Sequence, residues 1–390
     1  MILGIDASNI KSGGTVTHLK ELLENAKPKK YGFTKVILWS VESTLLQIND
    51  RPWLVKVSYP ELSGNRFLRW YWQKFKLSIL VRENGCDLLF IPGGAFSGKF
   101  RPFIAMSQNL LPFEWREWKR YGFSFQTLRL ILLYVFQGIT FRRSQEILFL
   151  TEYAKNTIFK KLNILNKRFV VIPHGINLKF FHKPRKQIDF LRKGNRKPIR
   201  LLYVSFIGAY KHQWNVVEAV GKLNRKGFTV HLDLVGAKAE KRAVNRLFSK
   251  MKELDPDNRI VSLHTKVSYE TIQKFYKNAD IFLFASTCEN LPNILIEAMA
   301  GGLPILSSNF GPMPEILGSA GLYFDPLNVD DIADQLEKLI KSKKLRESLS
   351  AKAFEKAKQY SWKKNADSTF RFFQDALKRL SKFERQSNQI

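Results

Sequence analysis

The chain has 390 residues, more than a single hydrophobic core usually supports, so we expect two domains. Hydrophobic residues make up 45% of the chain, which argues against intrinsic disorder, and the presence of only two cysteines argues against a disulfide framework and for a reducing compartment. Lysine and arginine number 64 against 34 acidic residues, a net charge of +30. This charge indicates a polyanionic partner such as nucleic acid, anionic lipid or a phosphorylated substrate, unless the surface is merely basic.

The sequence predicts neither a secretory leader nor a membrane-spanning helix. Residues 1–10 pass directly into a strand-like run without a charged leader and cleavage site. No stretch of 18 or more apolar residues occurs, and the nearest one, residues 128–141, contains Arg129, Gln137 and Gly138. We therefore interpret residues 128–141 as a buried or interfacial helix.

The first half of the chain alternates predicted strands and helices, as in a parallel α/β sheet. A short buried strand over residues 2–5 precedes Gly13 and Gly14, which open a helix. These glycines allow a ligand to approach the backbone, although the GxGxxG fingerprint is absent and the pair could be only a turn. Further strands are predicted over residues 35–40, 87–91, 147–150 and 170–173, and from residue 104 onward.

Two segments of this half, residues 65–82 and 113–125, mix aromatic and basic side chains. Aromatic rings with basic neighbours suit the headgroup region of an anionic membrane. They also suit nucleic acid, whose bases stack on rings. Ordinary helices with an apolar stripe toward the core and solvated charges explain the same pattern, so all three interpretations stay open.

Polar residues follow two of the predicted strands. Asn109 lies in a turn after the strand that begins at residue 104, where its amide can donate to or accept from a hydroxyl group, and Glu114 is a secondary candidate. His174 follows the strand that ends at residue 173, and it could be catalytic or structural.

A basic run with two prolines indicates a linker over residues 181–199. A second series of strands and helices begins at Ile199. The predicted organisation is therefore an N-terminal domain over residues 1–180, the linker, a C-terminal domain over residues 200–361, and a basic helix from about residue 362 to 390. The strands predicted in the second domain include residues 230–235, 260–263, 281–285 and 305–307.

The most informative stretch is residues 281–304. A buried strand over residues 281–285 leads to a loop with Glu289, and ligands of open parallel sheets bind outside the carboxyl ends of the strands. Pro292 suits the first turn of the helix that follows, with Asn290 or Leu291 as its cap, and Gly301 and Gly302 end that helix.

Glu297 lies five or six residues into this helix, so roughly 8 to 10 Å separate the two carboxylates along the helix axis. The helix N-terminus offers amides and positive partial charge to a phosphate, and the carboxylates can accept hydrogen bonds from sugar and ribose hydroxyls. This combination suits a nucleoside diphosphate sugar. The alternative is that Glu297 is a solvated helix residue and Glu289 an ordinary loop acid.

Glu289 and Glu297, separated by seven residues within CENLPNILIEAMAGGLPIL, resemble the paired-glutamate signature of the retaining family-four (group 1) glycosyltransferases. The resemblance covers most of the chain and is strongest over residues 200–330. It implies an α/β protein of the GT-B fold, with two doubly wound Rossmann-like domains that face a central cleft. The second domain would hold the nucleotide sugar and the first the acceptor. It also implies a retaining, metal-independent, hexosyltransferase-like reaction without a cofactor beyond the nucleotide sugar.

The resemblance implies roles for individual residues. Lys211 would bind the donor diphosphate, although Phe206 stands where relatives have an arginine. Relatives often carry a sugar-binding histidine in the loop at residues 107–109, where this chain has Ser, Gln and Asn. The implied catalytic residues are Glu289, Lys211 and Asn109. The implied donor-binding residues are Glu297, Asn290, Leu291, Pro292, Asn293, Gly13 and Gly14, with His174, Glu114 and Ser205 as further possibilities. In relatives the PHGIN turn lies near the domain junction, which favours a structural His174.

Asp255 and Asp257 spell the DxD of metal-dependent transferases, but they lie in a turn before a strand, so we expect no metal. The expected function is transfer of a sugar to a hydroxyl acceptor. We expect the acceptor to be a lipid-linked saccharide in lipopolysaccharide, capsule or exopolysaccharide synthesis, and the enzyme to be cytoplasmic and peripheral on the inner face of the cell membrane.

Three other functions would account for part of this sequence. A sugar-nucleotide epimerase of the same fold would convert the donor without an acceptor. A phosphorylase would need a pyridoxal lysine site, which we do not find. A non-enzymatic nucleic-acid-binding protein would bind random sequence in a strongly salt-dependent way, but the chain has no known basic-domain motif.

Overall fold

The structure is a computed structural model that describes residues 1–192, 197–268 and 270–387. Residues 193–196 of the predicted linker and residues 388–390 of the predicted C-terminal helix lie outside the described residues. The chain forms two compact units. The first contains Met1–Trp115, Phe123–Gly175 and Ser361–Ile390, and the second contains Arg116–Gly122 and Ile176–Tyr360.

The first unit contains a parallel sheet whose strands run in the order β3-β2-β1-β4-β5-β6-β7 within the described residues. Its central strands are buried along nearly their whole length, as expected for a parallel sheet covered on both faces. The strands are β1 (Ile2–Ala7), β2 (Lys35–Ser40), β3 (Leu54–Val57), β4 (Leu88–Ile91), β5 (Phe103–Met106), β6 (Glu146–Phe149) and β7 (Arg168–Val171).

The second unit contains another parallel sheet, in the order β10-β9-β8-β11-β12-β13 over the described part of the chain. The order reverses direction beside β8, which makes this position the topological switch point where ligands of such sheets bind. Its strands are β8 (Ile199–Val204), β9 (Val230–Val235), β10 (Val261–His264), β11 (Ile281–Phe284), β12 (Ile305–Ser308) and β13 (Leu322–Phe324).

Helices connect most of the successive strands in both units. In chain order they are α1 (Gly14–Asn25), α2 (Glu42–Leu45), α3 (Pro60–Ser63), α4 (Arg66–Tyr71), α5 (Leu77–Glu83), α6 (Trp115–Trp118), α7 (Phe125–Arg143), α8 (Glu152–Leu162), α9 (Gln213–Arg225), α10 (Lys241–Leu254), α11 (Gln273–Asn278), α12 (Asn293–Ala300), α13 (Met313–Leu317), α14 (Val329–Lys341), α15 (Lys343–Ala357) and α16 (Trp362–Ser387). A π-helical turn over Trp72–Lys76 joins α4 to α5. None of the described helices is long and apolar enough to cross a membrane.

The C-terminal helix α16 packs on the first unit. Its Phe370 and Phe373 rings lie 6.0 Å from Phe33 and 4.9 Å from Phe90, respectively, by ring centroids. Arg379 donates two hydrogen bonds of 2.8 Å to the buried carboxylate of Glu146. Because a bidentate guanidinium–carboxylate pair fixes both distance and orientation, this contact aligns α16 with β6.

Three rings stack in the interior of the first unit. The imidazoles of His18 and His174 lie 4.7 Å apart and almost parallel, and the Trp362 ring lies 5.4 Å from His174. The Nδ1 atom of His18 lies 2.8 Å from Nε2 of Gln108. Burial, and then the neighbouring His174, lower the pKa of His18 well below its usual value of 6.5. A histidine that stays neutral in the fold is therefore one of the three rings in this cluster.

We expect this arrangement to make the first unit sensitive to acid. The pKa of His18 is lower in the folded state than in the unfolded state, so stability is complete above pH 6.5 and is lost as the pH falls below it. The stability should therefore fall progressively as the pH drops from 6.5 toward 5. Melting curves of wild type and His18→Gln over this range should show a steeper pH dependence for the wild type. The half-buried His182→Gln serves as the control, and equal slopes for wild type and His18→Gln would contradict the prediction.

Candidate active site

The loop between β8 and α9, residues 205–212, holds a buried lysine. The Nζ atom of Lys211 lies 5.0 Å from the ring centroid of Phe206, 4.9 Å from that of Tyr210 and 5.5 Å from that of Phe284. The hydroxyl of Tyr203 donates to the Lys211 carbonyl oxygen. Aromatic faces attract a cation, so these rings stabilise the ammonium group where water is largely excluded.

Lys211 forms an ion pair with Glu289, in the loop after β11. The strands β8 and β11 are parallel neighbours, with Ile281 opposite Leu201, so both loops lie at the carboxyl edge of the sheet. Both side chains are largely buried, at 4% and 14% exposure. A buried charge needs a partner, and each of these side chains neutralises the other. The structure therefore brings together two residues that the sequence places 78 positions apart.

The two loops are also joined through their backbones. The amide of Thr287 donates to the carbonyl of Tyr210 over 2.9 Å, and the Thr287 hydroxyl lies 3.2 Å from Nε2 of His212. Burial lowers the pKa of His212 to about 3, helped by the charges of Arg120 and Arg246. Burial, and then the charge of Glu289, raise the pKa of Tyr210 well above its usual value. Both side chains therefore stay neutral around the ion pair at neutral pH.

The helix α12 begins at Asn293, with Pro292 in the cap position. Our prediction that Pro292 lies within the first turn, behind a cap at Asn290 or Leu291, was therefore wrong. Pro292 has an extended backbone, with ψ at 101°, and its carbonyl accepts from the amide of Leu295 over 3.0 Å. Asn290 and Leu291 are buried in the loop that leads to the helix.

Glu297 lies inside the fold, at 4% exposure, and accepts a hydrogen bond of 2.7 Å from the hydroxyl of Tyr276. Burial raises the pKa of its carboxyl group to about 7, while the bond from Tyr276 and the charge of Lys179 act in the opposite direction. Glu297 is therefore not the solvated helix residue of the alternative interpretation. Near neutral pH its protonation is finely balanced.

One acidic residue of this site was not predicted from the sequence. Glu240, just before α10, accepts a hydrogen bond of 2.9 Å from the amide of Ala209 in the 205–212 loop. Its other carboxylate oxygen accepts from the hydroxyl of Tyr121 over 3.2 Å, and Tyr121 belongs to the short Arg116–Gly122 segment of the second unit. The two residues are 119 positions apart, so no local pattern pointed to the contact.

The remaining candidates have mostly local partners. Ser205 is half-buried in the second unit, and its hydroxyl donates to the carbonyl of Phe206 over 3.0 Å. The carboxylate of Asp255 accepts hydrogen bonds from the backbone amides of residues 259, 260 and 261. The DxD match therefore lies in a turn that Asp255 closes. Since these bonds use both carboxylate oxygens, a structural role accounts for Asp255.

The other candidates lie in the first unit. Gly13 precedes α1 at a φ of 72°, a conformation that other residues rarely adopt, and Gly14 is the first residue of α1. Asn109 is exposed, and its Oδ1 accepts from the amide of Leu111 over 3.2 Å. Glu114 accepts from the Tyr153 hydroxyl over 2.6 Å. His174 lies in the buried ring stack.

Curated proteins with similar sequences include glycosyltransferases. The sulfoquinovosyl transferase of Arabidopsis thaliana is 29% identical over 99 residues, and the O-antigen chain mannosyltransferase B of Escherichia coli is 34% identical over 93. Each alignment covers 24% of this chain, and the chain spans only 19% and 24% of these two relatives. An uncharacterized glycosyltransferase of Haemophilus influenzae is 26% identical, and the alignment covers 71% of this chain and 73% of the length of that protein.

Solved structures confirm the predicted fold class. The sucrose-phosphate synthase of Thermosynechococcus elongatus superposes with a TM-score of 0.75 at 16% identity, covering 96% of this chain and 98% of its own. Anabaena HepE, solved in complex with UDP-glucose, gives a TM-score of 0.66 at 16% identity, covering 98% and 100%. At this identity the comparison establishes the fold, which is GT-B.

The family assignment comes from the second unit. Residues 185–356 match the family described as Glycosyl transferases group 1, and this segment contains Lys211, Glu240, Glu289 and Glu297. The second unit therefore carries the segment that matches the group 1 glycosyltransferase family, and this match covers less than half of the chain.

Proposed function

We propose that this protein is a glycosyltransferase that moves a sugar from a nucleoside diphosphate sugar to a hydroxyl acceptor with retention of the anomeric configuration. The buried Lys211–Glu289 pair at the carboxyl edge of the second sheet carries the proposal, because it combines a cation for phosphate with a carboxylate for the sugar. The likeness to HepE, solved with UDP-glucose, supports a nucleotide sugar as the donor.

The charges of the site suit the charges of such a reaction. The leaving diphosphate gains negative charge as the sugar becomes cation-like, and fixed charges stabilise a transition state best where new charge develops. In the proposed mechanism Lys211 leaves its pairing with Glu289 and turns to the diphosphate, assisted by the N-terminal end of α12 near Asn290 to Asn293. Glu289 then accepts from the sugar hydroxyls and stabilises positive charge at the ring.

The remaining predicted roles complete this mechanism. Glu297 would accept from ribose hydroxyls, Asn109 would contact the transferred sugar or the acceptor, and Gly13 and Gly14 would let the backbone approach the donor. We propose that no metal is needed, because Lys211 and the helix N-terminus supply the positive charge that a cation would otherwise bring.

Replacing Glu289 by glutamine tests this proposal. Glutamine keeps the size and a hydrogen-bonding oxygen but removes the charge, so we expect sugar transfer to fall by about 100-fold or more while nucleotide binding stays nearly intact. Melting temperatures measured with UDP, GDP, ADP and dTDP sugars first identify the donor. Transfer by the wild type and by Glu289→Gln is then measured with that donor.

The exposed Glu253→Gln is the matched control and should keep full activity. Proton NMR of the product should show the anomeric configuration of the donor, and transfer should persist in excess EDTA. Full activity of Glu289→Gln would contradict the assignment, an inverted product would contradict retention, and conversion of donor without acceptor would indicate an epimerase.

Glu297 yields a prediction about pH. Its folded pKa is raised to about 7 from 4.5, so its stabilising contribution is complete below pH 4.5 and is lost as the pH rises through 7. The loss by pH 8 is about 3 kcal/mol, and the neutral Glu297→Gln does not undergo it. Denaturant unfolding measures this. The free energy of unfolding of the variant, relative to that of the wild type, should be larger by about this much at pH 8 than at pH 5. If the difference in free energy of unfolding between the two proteins is the same at both pH values, the pKa of Glu297 is not raised.

We further propose that the enzyme works on a lipid-linked saccharide in cell-surface polysaccharide synthesis, on the cytoplasmic face of the membrane. The sequence similarity to an O-antigen chain mannosyltransferase supports this pathway. The exposed face of α7 supports a membrane surface, because it consists of apolar side chains at helical spacing: Phe125, Leu128, Ile131, Leu132, Val135, Phe136 and Ile139.

The charges around this face favour anionic lipid over a second copy of the chain. Helix α7 contains three arginines and no acidic residue, and the fully exposed Phe123 precedes it. Helix α4 and the π-helical turn that joins it to α5 expose Phe67, Tyr71 and Phe75 among basic residues. Both elements border the loop at residues 95–97, through Gln73 and Thr140. An exposed apolar face flanked by cations suits an anionic bilayer.

Vesicle binding tests this surface. The triple variant Leu128→Ser, Leu132→Ser and Phe136→Ser should sediment with phosphatidylglycerol-containing vesicles at least about 10-fold more weakly than the wild type, because it loses apolar area that would enter the bilayer. The control is the double variant Leu46→Ser and Leu165→Ser, at more exposed apolar positions elsewhere. A wild type that ignores vesicles but dimerises through α7 would contradict the proposal.

A further inference from the structure

The 205–212 loop provides less positive charge than its proposed ligand requires. A nucleoside diphosphate brings at least two negative charges, but the loop contains one lysine and a histidine that is neutral near pH 7. The aromatic ring of Phe206 supplies no positive charge at the position where the resemblance implies an arginine. Lys211 is itself paired with Glu289, so the two charges cancel before a ligand arrives.

A distant segment of the chain is attached to this loop. Residues 116–122 belong to the second unit, whereas the residues on either side belong to the first. Tyr121 is buried, and its hydroxyl donates to Glu240 over 3.2 Å, while Glu240 also accepts the amide of Ala209 over 2.9 Å. Burial and the charge of Glu240 raise the pKa of Tyr121, which keeps the donating proton in place. Glu240 therefore joins the segment to the loop.

The residue before Tyr121 is an arginine. Nε of Arg120 donates to Oε2 of Glu117 over 2.6 Å, and this buried carboxylate fixes the guanidinium. A guanidinium has five N–H donors, so pairing through Nε leaves its two terminal nitrogens able to bind phosphate oxygens. The charge of Arg120 also acts on His212, next to Lys211. Its field therefore reaches the 205–212 loop.

We propose that Arg120 is a donor-binding residue that supplies the second cation for the diphosphate, in place of the arginine that Phe206 replaces. Tyr121 and Glu240 are positioning residues, since they hold the segment against the loop. The inference rests on the proposed function, because it requires a nucleoside diphosphate in this site. It also assigns a role within the segment at residues 113–125. The sequence alone left three interpretations of that segment open: membrane contact, nucleic-acid binding and ordinary helices.

Isothermal titration with nucleoside diphosphates tests the role of Arg120. The probes are UDP, GDP, ADP and dTDP, followed by the monophosphate of whichever binds. We expect Arg120→Gln to weaken diphosphate binding by about 10-fold or more, as for a lost charge-assisted hydrogen bond, and monophosphate binding by less. Adding Phe206→Arg to this variant should restore most of the affinity, because it returns the charge to the loop.

Two controls separate this role from a structural one. Arg246 also acts on His212 but stacks on Trp214 at 4.4 Å, so Arg246→Gln should bind diphosphate within about twofold of wild type. The double variant Glu117→Gln and Arg120→Gln leaves no unpaired carboxylate and should remain folded, which its melting curve checks, while still binding weakly.

The possible failures are distinguishable. If the wild type binds none of the four diphosphates, the proposed function is wrong, and this inference falls with it. If the wild type binds one and Lys211→Gln weakens the binding, but the folded Arg120 variants bind normally, the proposed function stands and the role of Arg120 is overturned. If Phe206→Arg does not restore the weakened binding of the Arg120 variants, the role of Arg120 is also overturned. The lost affinity would then not result from a lost charge in this loop.

Discussion

The second unit is organised around the ion pair between Lys211 and Glu289. Moving an ammonium group out of water costs several kcal/mol, and the cost is recovered only where a partner charge and polarisable neighbours replace the water. Here the partner is Glu289, and three aromatic rings surround the ammonium group. Because each residue lies on a separate loop, the pair also fixes the two loops against each other at the edge of the sheet.

Three titratable side chains next to this pair are neutral near pH 7. Burial keeps His212 deprotonated and keeps Tyr203 and Tyr210 protonated. The carboxyl group of Glu297 titrates near pH 7, within reach of physiological change. A ligand with negative charge at one end and hydroxyls at the other can pair with Lys211 and donate hydrogen bonds to Glu289 at the same time. Neither charge is then left without a partner. This is why the proposed reaction suits the site better than the binding of a simple anion.

The parts of the fold that the sequence predicted well are those whose causes are local. The strands at residues 35–40 and 230–235 were predicted to the residue, because continuous or alternating apolar runs flanked by polar residues mark a buried strand. The edge strand β3 was not predicted, since its four residues include Lys56 and are only partly buried. The start of α12 was misplaced because proline is compatible with both the cap and the first turn, and the local sequence does not distinguish them.

The parts of the site that escaped prediction depend on contacts across the chain. Nothing near Glu240 in the sequence indicates that its partner is Tyr121, because the contact arises only when residues 116–122 pack into the second unit. The same applies to the burial of Glu297, whose partner Tyr276 comes from a neighbouring helix. The sequence pattern therefore identified charged residues of the site, whereas the tertiary structure determines which of those charges are neutralised.

The segment at residues 116–122 also connects the two proposals about this enzyme. Tyr121, which is buried against the donor loop, and Phe123, which is fully exposed beside the apolar face of α7, are separated only by Gly122. Gly122 has a φ of 56°, so the chain turns there in a way that other residues rarely allow. If α7 binds lipid and Arg120 binds the diphosphate, the two ligands contact residues on either side of Gly122. Any coupling between them would be reciprocal, so a membrane that changed the affinity for the donor would itself be bound differently when the donor is present.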